Sequence, residues 1–179
     1  VYLLGKVPSP KILLKAFEEV KPNLILTVPL ILEKIYKKMI LPQLSKTTMK
    51  VALNIPLLDS RIYAQIRKKL VDAFGGRFRE VIVGGAAMNE EVTNFLYKIK
   101  FPFTIGYGMT ECGPLISYDH NDEYVPGSCG QILKGIMKVR IDSEDPYNKV
   151  GEIQVSGENV MKGYYTVSYT HLRAHETDS

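Results

Sequence analysis

The run Gly106-Tyr107-Gly108-Met109-Thr110-Glu111 holds, in one short stretch, the parts that a nucleotide-handling loop needs. Glycines at 106 and 108 let the backbone turn and come close to a ligand, because neither carries a Cβ. Tyr107 offers a flat aromatic face, Thr110 a hydroxyl that can donate to a phosphate oxygen, and Glu111 a carboxylate of the kind hard divalent cations prefer. A Gly-x-Gly turn by itself is weak evidence, whereas this longer ordered string is more specific. Taken alone, Thr110-Glu111 would also suit the start of a helix, Thr as cap and Glu against the dipole.

The elements around this run place it. Phe101-Pro102-Phe103-Thr104-Ile105 reads as a buried strand leading into Gly106, and Val81-Ile82-Val83 as another. Between them Gly84-Gly85-Ala86-Ala87 makes a tight small-residue turn, and Asn89 caps a helix carrying Val92, Phe95, Leu96 and Ile99. Strand, turn, helix, strand is a βαβ unit with parallel strands. Both small-residue loops then leave the sheet at its carboxyl edge, where open α/β sheets bind ligands. Gly85, Ala86 and Ala87 are therefore expected to face the same pocket as Tyr107, Thr110 and Glu111.

Upstream, Ser9-Pro10 opens a helix with Leu13, Ala16, Phe17 and Val20 on one face. The continuous apolar run Leu24-Ile25-Leu26-Thr27-Val28 predicts a strand covered on both faces. Pro29 begins a helix through Leu32, Ile35, Tyr36 and Met39 that Pro42 should stop. Asp59 caps a third helix, with Ile62, Ile66 and Leu70 along one side and Gly75-Gly76 at its end. From about 126 the pattern becomes β: Ile136 to Asp142 and Gly151 to Val155 both alternate, joined by the polar turn Ser143 to Lys149. The division expected is α/β over 1–125, a β subdomain over 126–165, and a non-native tail over 166–179. That tail has no apolar periodicity, and His171 and His175 within it are too few to make a zinc site.

With 45% hydrophobic and 23% charged residues, the composition is that of a globular domain. No apolar run reaches the roughly 20 residues that cross a bilayer. Cys112 and Cys129 have no metal-ligand spacing, which suits a reduced, cytoplasmic setting. The formal charge of +4 is modest, and its basic clusters, Lys34/Lys37/Lys38 and Arg67/Lys68/Lys69, read as solvated helix faces. No aromatic interleaving points to nucleic acid.

Three motifs, in order, resemble those of the adenylate-forming superfamily of acyl-CoA synthetases, luciferases and peptide-synthetase adenylation domains. Gly84-Gly85-Ala86-Ala87-Met88 is similar to its small-residue loop, and Tyr107-Gly108-Met109-Thr110-Glu111 to its Tyr-Gly-x-Thr-Glu signature. Gly151-Glu152-Ile153 through Val160-Met161-Lys162-Gly163-Tyr164-Tyr165 is similar to its Gly-Glu-Ile/Leu motif ending in Gly-Tyr-Tyr. Thr27-Val28-Pro29, Leu32 to Tyr36 and the alanine pair at 86 and 87 resemble the long-chain fatty-acid branch. The fold implied is α/β, a fragment of the large N-terminal domain of an adenylate-forming enzyme, with parallel βαβ units followed by a β subdomain.

The resemblance implies an AMP-forming acid–thiol ligase of the long-chain-fatty-acid–CoA type. A carboxylate attacks the α-phosphate of ATP, and CoA thiol then displaces AMP. It implies Glu111 as ligand of Mg²⁺, Thr110 as hydroxyl donor to the α-phosphate, and Tyr107 as the surface stacked on adenine. Gly85, Ala86 and Ala87, with Gly106, Gly108 and Met109, would bring backbone against the nucleotide. The partners implied are a fatty acid or other carboxylate, ATP and CoA, with peripheral membrane contact left open. Tyr164 and Tyr165 read as packing residues, Lys162 as part of a structural motif, and Cys112 as a passive small side chain. The phosphate loop, the ribose-binding aspartate and the C-terminal lysine have no match in this sequence, so the isolated chain is expected to be inactive. Two alternatives stand beside this reading: an adenylation domain for an aryl, short-chain or amino acid, and a non-catalytic nucleotide- or acyl-binding homologue.

Overall fold

Ser9 and Pro10 open the first helix as their chemistry predicts. In the computed structural model, which describes residues 9–55 and 58–165, the Ser9 hydroxyl accepts from the Ile12 amide at 3.4 Å and α1 spans Pro10–Val20. The expected tail at 166–179, with His171 and His175, lies outside the described residues. The chain groups into two units, one of residues up to 105 together with 119–128, the other of 106–118 together with 129 onward.

In the first unit, β1 (Leu24–Thr27), β2 (Glu80–Val83) and β3 (Phe103–Ile105) form a sheet in that order, both pairs parallel. The three further helices that flank the sheet are α2 (Pro29–Ile35), α5 (Leu58–Ala73) and α6 (Glu90–Lys98). Helix α6 joins β2 to β3, with the Asn89 side chain accepting from the Val92 amide at 3.2 Å, so the expected βαβ unit is present. Thr27 pairs with Val83 and Val83 with Ile105, so the strands end level at their carboxyl edge. The core is aromatic at its centre: fully buried Phe74 packs against Phe17, Phe78 and Phe101 with ring centroids 5.2, 5.9 and 5.5 Å away.

Two expectations are corrected here, and one element is added. Pro42 does not stop the helix begun at Pro29. After α2 the chain widens into a π turn, Tyr36–Ile40, and continues as α3 (Leu41–Leu44). The Leu41 amide reaches back to the Tyr36 carbonyl, five residues away. Pro42 thereby falls in the first turn of α3, where a missing N–H costs little. A further helix, α4 (Thr47–Leu53), has no counterpart in the sequence reading, because seven residues, with Met49, Val51, Ala52 and Leu53 bunched at one end, are too few to set a period. Finally, β1 is covered on one face only. Ile25 is buried, but Leu24 and Leu26 are 50% and 73% exposed, because β1 is an edge strand with no described element over that face.

In the second unit, β4 (Tyr107–Gly108) pairs antiparallel with β5 (Leu115–Ser117), and β6 (Met137–Asp142) with β7 (Glu152–Gly157). The β6–β7 ribbon is the pair that alternation predicted. Gly108 is required for a reason other than ligand approach. A Cβ there would collide with the Pro114 carbonyl oxygen and the Leu115 Cα, so the two strands of the hairpin can meet only across a glycine.

Two outcomes follow from this packing. Gly108→Ala is expected to destabilise the protein by roughly 1–3 kcal/mol, the range for overpacking a tight contact, measured by urea denaturation. Tyr36, buried at the start of the π turn, donates to Glu91 Oε1 at 3.0 Å. Burial first, then that bond, pushes its hydroxyl up to about 12 from 10.0. The folded state therefore favours the neutral phenol, a contribution complete below pH 10 and lost as pH rises through about 12. Wild-type urea midpoints should fall across that window, and Tyr36→Phe should flatten the fall.

Candidate active site

The small-residue loop belongs to the first unit. It is tied at one end to the sheet, where the Gly84 amide donates to the Thr27 carbonyl at 3.1 Å. At the other end Glu33 Oε1, on α2, accepts from the Asn89 amide at 3.0 Å. Between these anchors Gly85 adopts φ 89°, a left-handed conformation that side-chain-bearing residues avoid, with Val28 Cγ1 as its nearest neighbour at 3.9 Å from a notional Cβ. Gly85, Ala86 and Ala87 are all exposed, so this is backbone presented to solvent behind very little side chain.

The Tyr107-to-Glu111 string belongs to the second unit and is the tip of a hairpin. After β4 the chain enters a 3₁₀ turn, Thr110–Cys112. Met109 precedes this turn with no side-chain cap, so Thr110 lies inside the turn and does not cap a helix. Its side chain is left at the exposed surface. Gly106 is buried, and Tyr107 and Met109 pack in part against Cys112, Ile116 and Met137. Burial, the larger cause, raises the Tyr107 pKa, so its hydroxyl is neutral at physiological pH. Cys112 is 1% exposed, and burial followed by the Glu111 charge pushes its thiol up. That is the inert cysteine the sequence implied.

Glu111 is half-buried and held through both its main chain and its side chain. Its carbonyl accepts from the Met161 amide at 2.8 Å, and its Oε1 accepts from the Tyr164 hydroxyl at 2.5 Å. The bond to Glu111, the largest cause, raises the Tyr164 pKa, so the hydroxyl remains a donor at neutral pH. Tyr164 and Tyr165 are thus not packing residues: they are 51% and 96% exposed, and Tyr164 engages through its hydroxyl. Sequence reasoning missed this, since a contact across 53 positions leaves no periodic signal. Asn159, also unforeseen, donates through Nδ2 to the Cys112 carbonyl at 2.5 Å and the Leu115 carbonyl at 3.4 Å.

No group of three or more His, Cys, Asp or Glu among the described residues could hold a metal ion. A lone carboxylate does not suit zinc, but it fits Mg²⁺, which keeps several waters and takes one or two carboxylates beside substrate phosphates. Glu111 and Thr110 together offer that oxygen ligand and a neighbouring hydroxyl. No helix among the described residues is long and apolar enough to cross a membrane.

The chain has clear relatives. It is 32% identical over 122 residues, 61% of its length, to 4-coumarate-CoA ligase 1 of Narcissus pseudonarcissus, covering 22% of that protein. To long-chain-fatty-acid–CoA ligase 1 of Saccharomyces cerevisiae it is 26% identical over 165 residues, covering 83% of this chain and 24% of that one. It thus spans about a quarter of the length of these relatives. Its fold matches the O-succinylbenzoate coenzyme A synthetase of Bacillus subtilis solved with ATP and magnesium ion. That match has a TM-score of 0.58 at 21% identity, over 89% of this chain and 28% of that one. The model of the AMP-binding enzyme family matches residues 1–165, and the chain belongs to that family.

Proposed function

We propose that the chain is part of a longer ATP-dependent acid–thiol ligase that activates a carboxylic acid as its adenylate and passes the acyl group to CoA. The observation that carries this reading is the Tyr107-to-Glu111 string on a chain of the AMP-binding family, with exposed Thr110 and half-buried Glu111 consecutive in one 3₁₀ turn. A carboxylate is already nucleophilic at neutral pH, so the first step needs no general base. Its oxygen attacks the α-phosphorus, the bond to pyrophosphate breaks, and the residues' task is alignment and charge neutralisation. Thr110 would donate to the α-phosphate and Tyr107 would stack on adenine. Gly85, Ala86 and Ala87 would bring bare backbone against the nucleotide. Glu111 would hold Mg²⁺, which supplies positive charge against the phosphates when bound.

For the substrate we infer a long-chain fatty acid. The resemblance of Thr27-Val28-Pro29 and of Leu32 to Tyr36 to that branch supports it, as does the extent of the match to the yeast relative, 83% of this chain. A hydroxycinnamate-type aryl acid is the second reading, favoured by the higher identity, 32%, to the Narcissus protein over a shorter stretch.

Both levels are testable in the full-length protein. Glu111→Ala should lower Mg²⁺-dependent, carboxylate-driven ATP–pyrophosphate exchange by about 10²-fold, the scale for losing one electrostatic stabiliser. A rate within a factor of two or so of wild type would remove the metal assignment. In a competition of acids, kcat/KM for a long-chain saturated acid should exceed that for 4-coumarate by roughly tenfold or more. The reverse preference would establish the aryl reading instead.

A further inference from the structure

The chain that follows β7 turns back over the Thr110–Cys112 turn and bonds to it through Asn159, Met161 and Tyr164. Asn159 Nδ2 holds the Cys112 carbonyl, the Met161 amide holds the Glu111 carbonyl, and the Tyr164 hydroxyl holds Glu111 Oε1. Two of these fix consecutive main-chain carbonyls, those of Glu111 and Cys112. The third fixes the side chain itself. Tyr164 is 51% exposed, and the contact it makes with Glu111 is through its hydroxyl.

We propose that Tyr164 is a positioning residue for the Glu111 carboxylate, and that residues 159–164 form a strap that sets the orientation in which Glu111 meets a divalent cation. The inference rests on the proposed metal role of Glu111. Its physical basis is that a glutamate has three side-chain torsions, and a cation bound by one carboxylate gains affinity when that carboxylate is ordered in advance. A donor on one carboxylate oxygen removes the rotation of the group while leaving it charged. Partners of this kind behind a metal ligand are worth about tenfold or more in metal affinity. The Asn159 and Met161 contacts keep the peptide beneath Glu111 from shifting, so the tyrosine acts on a carboxylate whose backbone is already held.

The test is Mn²⁺ binding to the full-length protein with a non-hydrolysable ATP analogue, read by electron paramagnetic resonance, so that no turnover is needed. Tyr164→Phe should weaken Mn²⁺ affinity about tenfold. Because the ring is half exposed, the urea midpoint and the affinity for the nucleotide without metal should stay near wild type. The decisive arm is the double variant. If Tyr164 acts through Glu111, Tyr164→Phe costs nothing further in the Glu111→Ala background. The same fold-loss in both backgrounds would mean a general structural role and overturn the proposal. Unchanged or tighter Mn²⁺ binding in Tyr164→Phe alone would overturn it too, while a weakened Glu111→Ala leaves the metal role standing. Wild-type affinity in Glu111→Ala would overturn the metal role and this inference with it.

Discussion

The register that pairs Val83 with Thr27 on one side and Ile105 on the other sets what the rest of this chain can do. Parallel strands that end level must release their following residues at one edge, and β2 releases Gly84 there. A slip of one residue in either pair would turn the buried Val81 and Val83 outward, at a cost the apolar core does not allow. The Phe74 aromatic cluster backs this register. Its partners Phe17, Phe78 and Phe101 come from α1, from the approach to β2 and from the approach to β3. The same packing that stabilises the sheet therefore sets where the small-residue loop begins.

Each loop is then held by a different kind of constraint. The small-residue loop is stretched between a sheet bond at Gly84 and the Glu33 carboxylate at Asn89, so its exposed backbone is anchored although its own side chains contribute almost nothing. The Tyr107-to-Glu111 string is held by close strand contact across Gly108 and by the chain after β7. In both places part of the anchoring comes from distant residues, Glu33 for the first loop and Asn159 and Tyr164 for the second. The motif residues are small, polar or aromatic, and they depend on neighbours for their position.

Much of the fold was legible in the sequence. Apolar periodicity placed α1, α6 and the β6–β7 ribbon, and the caps Ser9 and Asn89 perform as their side-chain chemistry predicts. The departures share a cause. Pro42 was read by its local rule, but a π turn absorbs its missing donor. Leu24 to Val28 was read by composition as a doubly covered strand, yet coverage depends on which elements lie over a strand, and none described lies over that face. Gly108 was read as room for a ligand, whereas the opposing strand already fills that space.

Sequence alone determined the family and the chemical inventory. A hydroxyl, a carboxylate and an aromatic face are properties of Thr110, Glu111 and Tyr107 wherever they stand, and motif order carries the family because it is linear. Tertiary structure decided what each inventory residue touches. That Glu111 shares its carboxylate with Tyr164, and that Asn159 holds the Cys112 carbonyl, are contacts across 53 and 47 positions. Local patterning records only neighbours within a few residues, so such contacts exist only once the chain has closed on itself.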